Sequence, residues 1–424
     1  MKVLKIGDEG IAVQQLTLAL GRAGYSAGGI KNTFDDGVHR ALVAFQNSVG
    51  ISADGIAGEV TYGELMPYLT GYTTVSLGQG QTVESLARDY GTTPEAIRIA
   101  NPYLSAFVPG ANVTVPLGFD VVPTNVDYSY ELTQLITDGL KARYPFITTE
   151  SAGESVMGKE LTLIKIGSGN KKVFYNATHH ANEWITTPVL LKFAEEYLKA
   201  LTAGESIASV SAEILFGSTT LSLMPLVNPD GMDLVTGAIS ADSPYYIDAR
   251  NIASSYPNIS FPSGWKANIK GTDLNLNYPA MWERAKEIKF SQGYTTPAPR
   301  DFVGASPLSE PESRGVYNLS VKEDYILTVS LHTQGEVIYW KYLDFLPPRS
   351  EEIADELARV GGYTKAITPY ASGFAGYKDW FISYYNRPGY TIDIGRGDNP
   401  LPITDFDSIY PNVEKMLVKA LQLA

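Results

Sequence analysis

The sequence predicts a multidomain protein: a small all-α module, a small α+β module, then an α/β domain with a mixed sheet flanked by helices. Three observations predict it. Helical periodicity runs through residues 1–70, and residues 72–117 read strand–helix–helix–strand. From 131 to 424, apolar strands alternate with helices. A length of 424 residues suits two or three domains at roughly 150 residues each.

In the first module, "DEGIAVQQLTLALGRAGY" sets Val13, Leu16, Leu20 and Ala23 at helical spacing, with Gly24 placed to cap. "DDGVHRALVAFQNSVG" repeats the pattern with Val38, Leu42 and Phe45 and closes on Gly50. "DGIAGEVTYGELMPYL" opens a third helix after a glycine-rich turn. In the second module, "YTTVSLGQG" and "GANVTVPLG" are strands. They enclose the helices "TVESLARDYG" and "TPEAIRIANP", for which Thr82 and Thr93 are N-cap candidates. Residues 118–130 read as a connector.

The third domain, 131–424, carries the strands "LTLIKIGSG", "KKVFYNAT", "TLSLMPLVN", "DYILTVSLHT" and "YTIDIG". "PVLLKFAEEYLKAL" is a helix with Leu190, Ala194, Tyr197 and Leu201 along one side. Apolar strands of this kind belong inside a parallel or mixed sheet. Residues 239–263, rich in Ser, Pro and Tyr, read as a long surface insertion bordering a cleft.

Composition removes several function classes. The net charge is −13 and no Lys/Arg cluster occurs, which argues against a nucleic-acid partner. Without cysteine there are no disulfides, thiolate metal sites or cysteine nucleophiles. No run of about 18 apolar residues predicts a membrane span. "MKVLKIGDEGIAVQQL" lacks the apolar core of a signal peptide, so the expected location is cytoplasmic or spore and cell-wall associated.

The chemistry gathers on scarce histidines. There are four: His39, His179, His180 and His332. His180 and Glu183, spaced H-x-x-E after the strand "KKVFYNAT", can face one ion, and zinc takes His nitrogen and carboxylate oxygen when no thiolate is offered. His332 also ends an apolar strand, where open α/β sheets place their sites. A pair of buried, hydrogen-bonded histidines beside a glutamate would give the same short pattern.

"HHANEW", "LMPLVNPDG", "WKANIKGTDLNLNYP", "SEPES", "SLHTQGEVIYW" and "YKDWF…GYTIDIG" come in the order found in the zinc carboxypeptidase family, which residues 130–424 resemble. The resemblance implies Zn²⁺ as cofactor, with His180, Glu183 and His332 as ligands and His179 as a supporting or packing residue. It makes Asp393 the general base, where the family has Glu. The side chain is one methylene shorter, and a misplacement of about 1 Å can cost about 100-fold in rate. Lys266 takes the place of an oxyanion-stabilising arginine, and Tyr370 that of a mobile tyrosine over the site. Asn275 remains from a substrate-binding Asn-Arg pair, but Leu276 replaces the arginine that grips a terminal carboxylate. Arg396 is a candidate to hold that carboxylate from another direction.

Residues 1–70 resemble a helical peptidoglycan-binding module through "DGIAG" and "ALVAFQ", and 72–117 resemble a glycan-binding LysM module. The combination resembles bacterial γ-D-glutamyl-L-diamino acid endopeptidases. It implies peptidoglycan or muropeptides as substrate, with glycan strands held by the front modules. Two other readings stay open: an exopeptidase acting on ordinary peptides, and a wall-binding protein with an impaired peptidase domain.

Overall fold

A computed structural model describes all 424 residues, which divide into two compact units, Met1–Thr148 and Thr149–Ala424. In the first, helices α1 (Ile11–Arg22), α2 (Asp36–Val49) and α3 (Glu59–Thr70) bury Leu16, Leu20, Val38, Leu42, Phe45 and Leu65 against one another. Gly50 ends α2 in the left-handed conformation, at φ 74°. Strand β1 (Tyr72–Ser76), helices α4 (Val83–Asp89) and α5 (Pro94–Ala100) and strand β2 (Asn112–Pro116) follow in the expected order. β1 and β2 pair antiparallel, and the hydroxyls of Thr82 and Thr93 cap α4 and α5.

The stretch that follows β2 packs with the first unit. In the connector, residues 118–130, Val121, Val122, Val126 and Tyr128 are buried, and Tyr128 Oη donates to Pro123 O at 2.7 Å. Helix α6 (Tyr130–Arg143), assigned from sequence to the third domain, packs on α3, α5 and β2. Gly139 permits this approach, because a Cβ there would strike the Thr70 carbonyl oxygen. Arg143 Nη2 then donates to Gly71 O and Leu117 O, both at 2.7 Å. The first compact unit therefore runs on to Thr148.

The second unit opens with strands β3 (Thr148–Glu154), β4 (Glu160–Gly167) and β5 (Lys171–Ala177), then helix α7 (Thr186–Ala203). A two-residue hairpin, β6 (Ser206–Ile207) and β7 (Val210–Ser211), leads through α8 (Ala212–Ser218) to β8 (Thr219–Met224). Helices α9 (Pro229–Thr236), α10 (Pro244–Ser254), α11 (Trp282–Ser291) and α12 (Pro311–Glu323) precede β9 (Leu327–Thr333). The chain ends with β10 (Val337–Tyr339), α13 (Ser350–Gly361), β11 (Thr364–Ala366), α14 (Tyr377–Tyr385), β12 (Gly389–Ile394) and α15 (Phe406–Leu423).

Eight of these strands form one sheet in the order β11-β10-β12-β9-β5-β8-β4-β3. The central run β12, β9, β5, β8 is parallel, while β10 and β4 add antiparallel to it. Successive strand residues face opposite sides, and two neighbours on β5 show helices on both. Phe174 meets Tyr377 of α14 at 5.9 Å, whereas Tyr175 meets Phe193 of α7 at 6.2 Å and donates to Leu417 O of α15 at 2.7 Å. All seven residues of β9 are buried as a result. The 239–263 insertion contains α10, whose Ala249 and Ala253 pack with Leu234 and Trp265.

Candidate metal centre

Parallel strands β5, β9 and β12 deliver the site at their C-terminal ends. Beyond β5 the chain turns at Thr178, at φ 55°, a sparsely populated conformation for a β-branched residue. The Thr178 hydroxyl lies 2.7 Å and 2.8 Å from those of Thr186 and Thr187, and Asn228 Nδ2 donates to His179 O at 3.1 Å. These buried contacts hold the turn that presents His180 and a single 3-10 turn, Ala181–Glu183. Ala181 N donates to Lys266 O at 3.0 Å, which brings the lysine loop alongside. On the sheet, Asp393 of β12 is in register with His332 of β9, so both project to one side.

The ligand atoms converge. His180 Nδ1 lies 2.9 Å from Glu183 Oε1, His332 Nδ1 lies 2.9 Å from Glu183 Oε2, and the two Nδ1 atoms are 3.1 Å apart. Ligands of a tetrahedral zinc at about 2.0–2.2 Å stand about 3.3–3.6 Å from one another, about half an ångström wider than these separations. His180 Nε2 donates to Asp273 Oδ1 at 3.1 Å, which leaves the Nδ1 lone pair facing the group. Thr333 N donates to Glu183 Oε2 at 3.1 Å, and Lys266 Nζ approaches Glu183 Oε1 at 3.1 Å. The His180, Glu183 and His332 group is positioned to bind a metal ion.

The electrostatics favour a cation. Burial opposes the charge on His180, yet Glu183 outweighs it and pushes the pKa up to about 9. His332 moves the other way, because burial wins over its pairing with Glu183. Burial would raise the carboxyls of Glu183 and Asp273, but neighbouring cations, His180 foremost, hold both well below the usual range. Asp393 goes the other way: burial, then Glu183, push it up to about 7 against the weaker pull of Lys266 and His180.

A cavity of about 260 Å³ is lined by His180, Glu183, His332, Lys266, Asn275 and Asp393, and also by Lys378 and Asp379. A second cavity, about 480 Å³, is lined by Asn258, Ser260 and Ser263 of the insertion with Asn182, Arg300 and Asp398. Lys266 and Thr333 line both.

The other sequence-predicted residues lie elsewhere. Tyr370 is 61% exposed, and its hydroxyl accepts from Arg284 Nε at 3.1 Å. Arg396 is exposed and pairs with Glu336 Oε2 at 2.5 Å. Leu276 is buried in the apolar cluster with Leu274 and Trp380. His179 is outside the metal group; its Nε2 lies 3.0 Å from Tyr278 Oη. Sequence reasoning missed Asp273 and Thr333. Asp273 stands within the quoted "TDLNLN", and the rule that a ligating histidine leans on a carboxylate could have flagged it.

An α/β sheet with a His–Glu–His group at its strand ends and a raised carboxyl beside it defines a metal-dependent hydrolase. Residues 134–409 match the zinc carboxypeptidase family model, and residues 9–65 match the peptidoglycan binding domain model. The chain belongs to the zinc carboxypeptidase family and is a zinc metallopeptidase. It is 40% identical over 299 residues to γ-D-glutamyl-L-diamino acid endopeptidase 1 of Lysinibacillus sphaericus, covering 70% of this chain and 73% of that one. It is also 40% identical over 280 residues to the uncharacterized protein YqgT of Bacillus subtilis (strain 168), covering 66% and 73%. Bovine thrombin-activatable fibrinolysis inhibitor, solved with a tick carboxypeptidase inhibitor, superposes with a TM-score of 0.53 at 16% identity, covering 70% of this chain and 97% of that one. That last likeness is one of fold.

Proposed function

We propose that the protein hydrolyses the γ-D-glutamyl bond to diaminopimelate or lysine in peptidoglycan stem peptides, with His180, Glu183 and His332 holding zinc. The observation that carries this is the convergence of these three residues with Lys266 and Asp393 on one cavity, in a chain 40% identical to a γ-D-glutamyl-L-diamino acid endopeptidase. Zinc bound there supplies Lewis acidity, activating water and polarising the scissile carbonyl. Asp393 takes the attacking water's proton and returns it to the leaving amine. Lys266 places a positive charge where the oxyanion develops. Asn275 orients substrate from the cavity wall, with its own carbonyl fixed by Tyr377 N at 3.0 Å. Burial of Leu276 leaves no cation at the position that would hold a terminal carboxylate, which supports a cut that needs no free carboxyl beside it.

Residues 9–65 favour cell-wall association, and the strand–helix–helix–strand fold of residues 72–116 supports a second, LysM-like glycan contact. Tethered modules of this kind raise the local substrate concentration. Mass spectrometry of digests of defined stem tri-, tetra- and pentapeptides is the test. Release of the L-alanyl-γ-D-glutamate end, abolished by chelator and restored by zinc, is the expected result. Stepwise loss of C-terminal residues would instead establish an exopeptidase.

A further inference from the structure

The 480 Å³ cavity shares Lys266 and Thr333 with the metal cavity, so a chain held at the metal can run from one into the other. Two of its lining residues, Arg300 and Asn182, have no part in the chemistry above. The backbone on either side of Arg300 is tied to the metal site. Lys266 N and Ala267 N donate to Pro299 O at 2.8 and 3.0 Å, Asp301 N donates to Asp273 Oδ2 at 3.3 Å, and Asp273 N donates to Phe302 O at 2.8 Å. Arg300 Nε donates to Asp301 Oδ2 at 2.7 Å, which orients the guanidinium and leaves both Nη groups with hydrogens to give. Asn182, between the ligands His180 and Glu183 in the chain, is 5% exposed, and its Oδ1 has no protein partner. An unpaired buried carbonyl of this kind is costly unless something else supplies the donor. The insertion closes the rim with a tight turn: Gly264 N donates to Ser260 O at 2.7 Å, and a Cβ at Gly264 would crowd that oxygen. Lys266 and Arg300 outnumber the one carboxylate of the lining, the exposed Asp398.

We propose that this cavity takes the acyl side of the substrate, and that Arg300 binds the free α-carboxylate of the γ-linked D-glutamyl residue. The inference rests on the endopeptidase reading above. A γ-link sets the α-carbon three C–C bonds from the scissile carbonyl carbon, about 4 Å away when extended. That carbon carries a carboxylate and an acylated N–H together. The guanidinium fork matches the carboxylate, and Asn182 Oδ1 accepts the N–H. Arg300 is near enough to act on Lys266 as a like charge, and a carboxylate beside both relieves the repulsion.

The test compares kcat/KM of the zinc-loaded full chain on two tripeptides, L-alanyl-γ-D-glutamyl-meso-diaminopimelate and the same peptide with the glutamyl α-carboxylate converted to its amide. The amide keeps the shape and loses the charge. We expect the acid to exceed it by at least about 10-fold. In Arg300→Met the ratio should fall towards one, and Arg300→Lys, which keeps the charge without the fork, should fall between. A residue that only supported the fold would lower both substrates together and leave the ratio alone, so an unchanged ratio in Arg300→Met overturns the assignment. Equal kcat/KM on both peptides by the unmodified protein, with the same bond cut, overturns this inference and leaves the endopeptidase reading standing. Cleavage of neither, or at another bond, overturns both. The substrate pair needs no variant, so a variant that fails to fold leaves that comparison intact.

Discussion

Two buried polar clusters in this chain behave oppositely. In the first unit, Gln46 is 1% exposed and sits inside the turn that follows α2. Its Nε2 has Asp54 Oδ1, Ile56 O and Thr61 Oγ1 at 3.0–3.1 Å, and its Oε1 accepts from Gly55 N at 3.0 Å. The residues of "ALVAFQ" and "DGIAG" therefore satisfy one another, and the cluster builds structure. In the second unit, two imidazole nitrogens face each other at 3.1 Å over one carboxylate, with Lys266 pressed against the same group. There two imidazole nitrogens and one carboxylate, all able to ligate a metal, crowd a single point. A saturated cluster spends its polar atoms on the fold, whereas an oversupplied one is arranged around a charge brought from outside.

The largest effect should come from removing the shared carboxylate. Glu183→Ala is expected to lose zinc by elemental analysis and activity by several orders of magnitude. One zinc per chain retained in that variant would erase the contrast between the clusters. Asp393→Asn should keep zinc and lose about 10²- to 10⁴-fold in kcat. Because burial pushes Asp393 up to about 7 and bound zinc would draw it back down, kcat/KM should rise with pH along a limb at or below about 7. The variant's pH profile should lack that limb. Asp273→Asn should weaken zinc affinity by about 10- to 100-fold, read by chelator competition, because His180 loses the carboxylate that orients it. The smallest effect on catalysis belongs to Gln46→Ala. It should cost about 1–3 kcal/mol in urea unfolding of the first unit, through the unsatisfied groups it leaves. Its kcat on a soluble stem peptide should not change, and a parallel loss of zinc would show that the two clusters are not independent.

Much of the second unit was legible because its central strands are continuous apolar runs, and β5, β8, β9 and β12 fall where such runs stand. The metal group was legible for a different reason: with four histidines and no cysteine, few side chains could serve. Asp273 was not, since any of 46 acidic residues could have met the far nitrogen of His180. Nor was the allegiance of α6. Its amphipathic pattern says only that it packs, and the choice rests on a close approach at Gly139 and on Arg143 reaching two carbonyls. Tyr370 shows the same limit, because a motif position does not say where a hydroxyl finds its partner.

By itself, the amino-acid order determined which segments become strands and helices, and which few residues have the chemistry to hold a metal. Both follow from local periodicity and from residue type. Tertiary structure alone decided that His332 and Asp393 share a side, that Leu276 turns into the core, and that Lys378 and Asp379 end up facing the same cavity as His180. Those outcomes depend on strand register and helix packing between segments up to two hundred residues apart, which no local pattern encodes.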